Sequence, residues 1–441
     1  MGCSDSVTTR ALKDAVDEET IEPVVEAGLC TGCGTCAGIC PRDAIELEVS
    51  ARFGIYVPQV DEKRCSQCGI CLRACPGHSV DFMSLNLTIF GKEPDDPLLG
   101  NYANCYIGHA TDYEIRYNSA SGGLVTALLI HALEQRLIDG ALVTRMSHRN
   151  PMEPQPFIAK TRDEIISAAK SKYCPVPANI ALKEILKGDG KFAVVGLPCH
   201  LQGIRKAEAV SRKLRERIVL HLGLFCSHAD TFSGTEFIMQ KYAIKEECVV
   251  QLDYRGLGWP GSMAVHMRNG QVKAIPYADH IPAHALRFFM PRRCFLCSDA
   301  ISSLADITFM DAWLPEILTQ DSIGRSIIVS RTRTGEALCQ SAKLKRVVQL
   351  DEITSNKVAQ SQGKMRLSNK DLRACFCLSR LFGHSIPSYN AEFPRSGPTN
   401  YLRALLTCFN MWISSGRNMR KFIDPILRLE WSVRRHTNRD L

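Results

Sequence analysis

Between residues 105 and 350 the chain alternates short apolar runs with stretches whose apolar positions recur at helical spacing. "GALVTRM" (140–146), "KFAVVGLPC" (191–199), "IVLHLGLFC" (218–226), "ADITFMD" (305–311) and "SIIVSRT" (326–332) are bounded by turn residues and predict buried strands. "TRDEIISAAK" (161–170) and "DTFSGTEFIMQKYAI" (230–244) read as helices, as does the apolar run after "SASGG" (119–123). Alternation of this kind predicts an α/β domain with a mostly buried sheet. One stretch departs from it. "MAVHMRNGQVKAI" (263–275) holds Asn269-Gly270 between two strand patterns, a hairpin signal that makes the expected sheet content mixed.

Ahead of this domain the pattern is set by cysteine. "CTGCGTCAGICP" (30–41) and "CSQCGICLRACP" (65–76) both read C-x2-C-x2-C-x3-C-P, an internal repeat displaced by 35 residues. In such repeats three thiolates of one block grip one cubane and the fourth reaches across to the other. Cys30, Cys33, Cys36 and Cys75 would therefore hold one [4Fe-4S] cluster, and Cys65, Cys68, Cys71 and Cys40 the other. Zinc also favours C-x-x-C pairs, but two complete blocks, each closed by a proline, fit a dicluster ferredoxin far better. The expected organisation is a flexible N-terminus (1–22), a ferredoxin domain (23–90) and a linker (91–104) containing "GKEPDDPLLGN". An α/β domain in two parts (105–188, which the family resemblance given below makes the flavin-binding part, and 189–348) and a basic C-terminal extension (349–441) follow. The fold class expected is a multidomain α+β and α/β chain.

Composition changes the picture in two ways. Twenty cysteines, with no apolar leader in the acidic residues 1–22, point to reduced thiols used as metal ligands in a cytoplasm. "MGCSDS" matches an acylation pattern, but the rest of the chain looks prokaryotic, where that modification is not expected. The net charge of +8 is concentrated at the end: residues 395–441 hold nine Lys/Arg against three Asp/Glu. That tail mixes Leu, Phe, Trp and Arg at helical spacing. It could lie on an anionic membrane or an acidic partner, or simply pack on its own protein. Nucleic-acid binding has no motif beyond the charge.

Fainter signals lie in between. "SASGG" opening a helix could cradle a phosphate or flavin, although serine before a helix is commonly only a cap. Lys172 in "SKYCPVP" could sit as a cation beside a reduced flavin, or merely be solvated. "RGLGWPG" (255–261) contains G-x-G-x-x-G, but Pro260 and the following hairpin rule out a dinucleotide-binding turn. Cys199 and Cys226 each close a strand pattern, and Cys294 and Cys297 form a pair in "RRCFLC". These four thiols could serve a further cluster, or be small buried hydrophobes.

Together "SASGGLVTALLIHALEQRLIDGALV", "SKYCPVPAN", "GLPCHLQGIRK", "GLFC", "YRGLGWPG" and "RCFLCSDAISSLADIT" resemble the beta subunit of coenzyme F-420 hydrogenases and dehydrogenases. The likeness covers roughly residues 105–345, with the ferredoxin block fused in front. It implies FAD, a further [4Fe-4S] cluster and hydride exchange with the deazaflavin coenzyme F-420. By position, the cluster ligands would be Cys199, Cys226, Cys294 and Cys297, with Cys174 as a competitor. The flavin would lie around Ser119, Ser121, Gly122, Gly123 and Thr126, near Lys172 and Tyr173. Lys172 and His200 are the candidate catalytic side chains, His200 standing where such proteins commonly carry glutamine.

The function expected is an iron–sulfur flavoprotein that moves electrons between F-420 and a one-electron partner, a ferredoxin or other redox protein. Running in reverse, it would be a ferredoxin-dependent reductase of a cell-envelope, polysaccharide or pigment precursor. A plain electron-carrier subunit is the third possibility.

Overall fold

The computed structural model describes residues 20–428, without the side chains of 364–370. The acylation pattern, nearly all of the expected flexible N-terminus and the last residues of the basic tail lie outside the described residues. In the ferredoxin block, antiparallel strands β1 (Ile45–Val49) and β2 (Tyr56–Val60) connect the two cysteine loops. Each loop runs into a one-turn helix, Thr35–Ile39 or Ile70–Arg73. A short β3 (Ser79–Val80) follows the second.

The strands after residue 100 build the expected mixed sheet. They are β4 (Asn104–Ala110), β5 (Gly140–Met146), β6 (Pro154–Ala159), β7 (Phe192–Gly196) and β8 (Ile218–Leu224). An insertion, β9 (Val249–Asp253), β10 (Ser262–Met267) and β11 (Val272–Pro276), forms a separate antiparallel sheet whose hairpin turns at Gly270. The chain then returns through β12 (Ile307–Asp311), β13 (Ser326–Ser330) and β14 (Val348–Glu352). The eight strands lie in the order β14-β4-β13-β12-β8-β7-β5-β6. Its four inner strands β12, β8, β7 and β5 are parallel, and both flanks are antiparallel. Helix Leu124–Glu134 covers one face with a continuous core from Tyr106 to Leu350. Helix Pro198–Val210 covers the other through Leu201, Ile204 and Ala207.

One expected boundary shifts. Strand β14 belongs to the central sheet, so the extension begins after Glu352 and not at 349. The linker is not free chain: Leu99 and Asn101 are buried, and the Arg331 guanidinium bonds to both their carbonyls. The extension is likewise part of the fold. Leu372, Cys375, Phe376 and Tyr389 share a core with Leu29, Val80 and Leu296, and β15 (Ser388–Tyr389) pairs in parallel with β3. Cys375 of "CFC" is an ordinary buried thiol there, pushed up to about 12 by burial.

A buried charge cluster ties helix Pro198–Val210 to the sheet. His221 Nε2 lies 2.6 Å from Glu208 and its Nδ1 3.0 Å from Asp306, with Arg205 bonded to Glu208. Burial and Arg205 push His221 down, yet the two carboxylates outweigh them and hold it above its ordinary value. For Asp306 burial acts upward, but His221 and Arg205 hold it well below the carboxylate range. The carboxylates therefore stabilise the fold above pH ~4 and lose that effect as pH falls further. His221 stabilises fully below pH ~6.5 and loses its effect as pH rises through its raised value. The thermal midpoint should fall on the alkaline side in the wild type. In His221→Gln that alkaline slope should flatten, which scanning calorimetry across pH 6–9 checks.

Candidate redox site

The carboxyl edge of the parallel strands collects the chemistry. Cys199 lies in the first turn of the helix that leaves β7, and Cys226 two residues beyond β8. Cys294 lies in helix Arg292–Phe295 and Cys297 just after it. The structure brings these four together. The Cys199 thiol is raised by burial and then by its neighbours Cys33, Cys226, Cys294 and Cys297. Cys226 responds to Cys294 and Cys297 in turn. Arg293 is the counter-charge, acting downward on both Cys294 and Cys297, although burial still leaves Cys294 at about 12. Four converging thiols that resist ionising alone fit a site whose metal supplies the compensating charge. Cys174 is elsewhere, in a core with Met239, Tyr254 and Met263, and is not a member of this group.

The ferredoxin thiols lie in two neighbouring groups. Cys30, Cys33, Cys36 and Cys75 line one small pocket with Gly32, Tyr56 and Pro76. Cys71, raised to about 11 by burial, has Cys68, Cys40 and Cys65 as its charged neighbours. Cys33 adjoins Cys199, and Cys36 adjoins Cys71, so the three groups follow one another in space. The domain is fastened there. Lys206 reaches from helix Pro198–Val210 to the Cys75 carbonyl at 2.6 Å, Arg293 to the Pro76 carbonyl at 3.0 Å, and Asn179 donates its backbone N–H to the Cys33 carbonyl at 2.9 Å.

"SASGG" lies at the same edge of the sheet, between the end of β4 and the start of β13. Ser119 Oγ donates to the Ile115 carbonyl at 2.6 Å and Ser121 Oγ to the Arg325 carbonyl at 2.5 Å. Gly122 presses on backbone, where a Cβ would meet the Gly108 oxygen at 2.6 Å, and Gly123 begins the helix at φ +75°. Thr126 is buried in the helix's first turn. The serine hydroxyls thus fix the loop, and what it presents to an anion are the unpaired first-turn N–H groups of an eleven-residue helix.

Two candidate catalytic side chains have other work. His200 accepts from the Leu197 N–H through Nδ1 at 3.1 Å, and its Nε2 lies 2.9 Å from the Val176 carbonyl. Burial lowers it to about 4, so both nitrogens of a neutral ring are spent on backbone. Lys172 Nζ donates to the carbonyls of Ala168, Ala169 and Lys170, closing a helix end, and burial lowers it to about 7. Neither keeps a donor for substrate.

Tyr173 does stand in the site, and with it residues the sequence reading passed over. Arg255, 1 % exposed, donates to Tyr173 Oη at 3.1 Å, to Asp311 at 3.1 Å and to the Ala120 carbonyl at 2.7 Å. It opens the "RGLGWPG" stretch, which therefore serves the "SASGG" loop through its arginine. Tyr173 also packs on His284, with ring centres 5.3 Å apart, and His284 Nδ1 donates to Asp230 at 3.0 Å. His228 stacks on His284 at 4.0 Å and lies 3.6 Å from the same carboxylate. His228, Asp230 and His284 each turn one ligand atom inward, all within 4.8 Å of one another, a spacing that three ligands of one metal ion would also have. "CFLC" aside, the legible signal was "CSHAD", which sets His228 and Asp230 directly after Cys226.

Comparison with known proteins gives a consistent result. Residues 105–183 and 189–356 match the N-terminal and C-terminal models of "coenzyme F-420 hydrogenase/dehydrogenase, beta subunit", and residues 29–78 match a 4Fe-4S dicluster domain. The chain is 30% identical over 256 residues to the coenzyme F-420 hydrogenase subunit beta of Methanosarcina barkeri, covering 56% of this chain and 81% of that one. It is 25% identical over 350 residues to the coenzyme F-420-dependent sulfite reductase of Methanocaldococcus jannaschii, 76% of this chain and 49% of that protein. A chain of the xenon-derivatised F-420-reducing [NiFe] hydrogenase complex of Methanosarcina barkeri superimposes with a TM-score of 0.52 at 25% identity, over 66% of this chain and 97% of its own.

Proposed function

Since this chain belongs to the coenzyme F-420 hydrogenase/dehydrogenase beta-subunit family and carries a 4Fe-4S dicluster domain, we propose that it exchanges electrons between coenzyme F-420 and a one-electron partner through FAD and three [4Fe-4S] clusters. It is an iron–sulfur oxidoreductase of that family. The observation that supports the finer reading is the shared sheet edge: a chain of contacts from Asp230 beside Cys226 and Cys294, through His284, Tyr173 and Arg255, reaches the "SASGG" loop.

A bound flavin exchanges two electrons as a hydride and passes them on singly, the conversion between a deazaflavin and iron–sulfur clusters. The chain's own part is placement. Helix Leu124–Glu134 offers its N-terminal N–H groups to the flavin's phosphates. Arg255 locks that loop to Tyr173 and to Asp311 at the end of β12, so the two sides of the site cannot drift apart. Asp230 accepts the Nδ1 proton of His284 and so fixes which nitrogen can hold or take a proton. Cys199, Cys226, Cys294 and Cys297 would hold the cluster nearest the flavin, and the ferredoxin groups lead away from it. Relatives with different named activities, a hydrogenase and a sulfite reductase, share F-420 in their names, which favours F-420 as the hydride side.

An anaerobic spectral titration of reconstituted protein with reduced F-420 tests this. The flavin and cluster bands should bleach as oxidised F-420 appears. Bleaching by dithionite but not by reduced F-420 would leave the cofactors standing and remove the substrate.

A further inference from the structure

Helix Pro398–Ser415 is built inside out. Its buried positions are Asn400, Ala404, Thr407, Asn410, Ile413 and Ser414, mostly small or polar. The polar ones are tied down: Asn400 to Asp371, Asn410 to the Leu286 carbonyl at 2.9 Å, and Ser414 to the Phe288 carbonyl. Its large apolar side chains face out. Leu402, Leu405, Leu406, Phe409 and Trp412 are 44–60% exposed and lie on one stripe at i, i+3, i+4, i+7 and i+10. A helix that only needed to pack on its own protein would carry the opposite arrangement. Self-packing, one of the readings of the tail, therefore accounts for the helix's buried face but not for this stripe.

Charge says what covers it. The helix contains no Asp or Glu, and just beyond its end Arg417, Lys421 and Arg428 are exposed beside the exposed Phe422. A second copy would bring the same cations and no acid from this helix to meet them. An anionic lipid surface supplies both an apolar layer for Leu, Phe and Trp and negative charge for the cations. No helix among the described residues is long and apolar enough to cross a membrane, so this one would lie in the interface.

We propose that the outer stripe of helix Pro398–Ser415, with Arg417, Lys421 and Arg428, docks the protein on an anionic bilayer surface. The step is independent of which substrate the redox site takes. It predicts a working position at the membrane, where lipid-borne electron carriers or substrates would be in reach.

Sedimentation of the full, reconstituted chain with vesicles tests it. Vesicles of phosphatidylcholine mixed with phosphatidylglycerol should pull the protein down, and phosphatidylcholine alone should not. The pair Phe409→Ser and Trp412→Ser should abolish sedimentation, and Arg417→Gln with Lys421→Gln should weaken it by roughly thirtyfold. These positions are exposed, so cluster and flavin absorbance should be unchanged and serve as the check on folding. Failure to bind either vesicle overturns the proposal, as does equal binding to both. A wild-type dimer that Phe409→Ser and Trp412→Ser convert to monomer, without vesicle binding, would assign the stripe to a second copy and also overturn it.

Discussion

Replacing Cys297 by alanine is expected to lower the iron bound by the reconstituted protein from about twelve to about eight atoms per chain. The same change should leave reduction of the flavin by F-420 intact while abolishing reduction of a one-electron dye. The reason is position. Cys199 responds to Cys33 of the ferredoxin block on one side and to Cys226, Cys294 and Cys297 on the other, so this group bridges the sheet edge and the ferredoxin domain. Without it, electrons delivered at the flavin have no carrier between the two. The alanine should fold, since Cys297 is only partly buried and the removed atom is one sulfur. Cys174→Ala is the matching control, because that thiol packs with Tyr254 and Met263 instead. It should keep all twelve irons. Iron assay and dye reduction read the two outcomes, and unchanged iron in Cys297→Ala would mean that these four thiols hold no cluster.

The sheet was readable in the sequence because its strands are buried runs with sharp ends. All five strand patterns named above became strands, and Asn269-Gly270 made its hairpin. The cysteine grouping was readable because thiol spacing in the ferredoxin blocks is local. The third group needed three separate segments to meet, which spacing cannot show. Individual side-chain roles were the poorest guide. His200 and Lys172 looked chemically apt but were consumed by backbone carbonyls and N–H groups, whose positions depend on the tertiary fold. Conversely Arg255, buried in a loop judged only by its glycines, turned out to hold the site together. For the tail, the sequence left a membrane surface, an acidic partner and self-packing all open, because a stripe of apolar residues reveals a face and not what covers it.

How tightly the ferredoxin block is held decides whether the third group can pass electrons to it, and Gly38 is where that can be tested. It lies in helix Thr35–Ile39, between Cys36 and Cys40, and it faces the single turn Ala178–Ala181. A Cβ there would come within 2.0 Å of the Asn179 carbonyl oxygen. That oxygen is backbone, in a residue whose own N–H bonds to Cys33 and whose side chain bonds to Thr35 and to the His200 carbonyl. It cannot swing aside. Gly203 repeats the close fit from the other helix, its Cβ position 2.2 Å from Thr35 Oγ1. Gly38→Ala should therefore cost about 1–3 kcal/mol of stability by forced separation. It should also loosen the start of the linker 91–104 to limited proteolysis, because Asn101 bonds to Asn86 of helix Phe82–Phe90 as well as to Arg331 of the sheet domain. The flavin side, on the far part of the sheet edge, should still accept electrons from reduced F-420. Dye reduction through the ferredoxin clusters should fall while the iron content holds near twelve. That pattern would separate loss of contact from loss of a cluster. If Gly38→Ala transferred electrons at the wild-type rate and resisted protease, the block would not depend on this contact for its place in the relay.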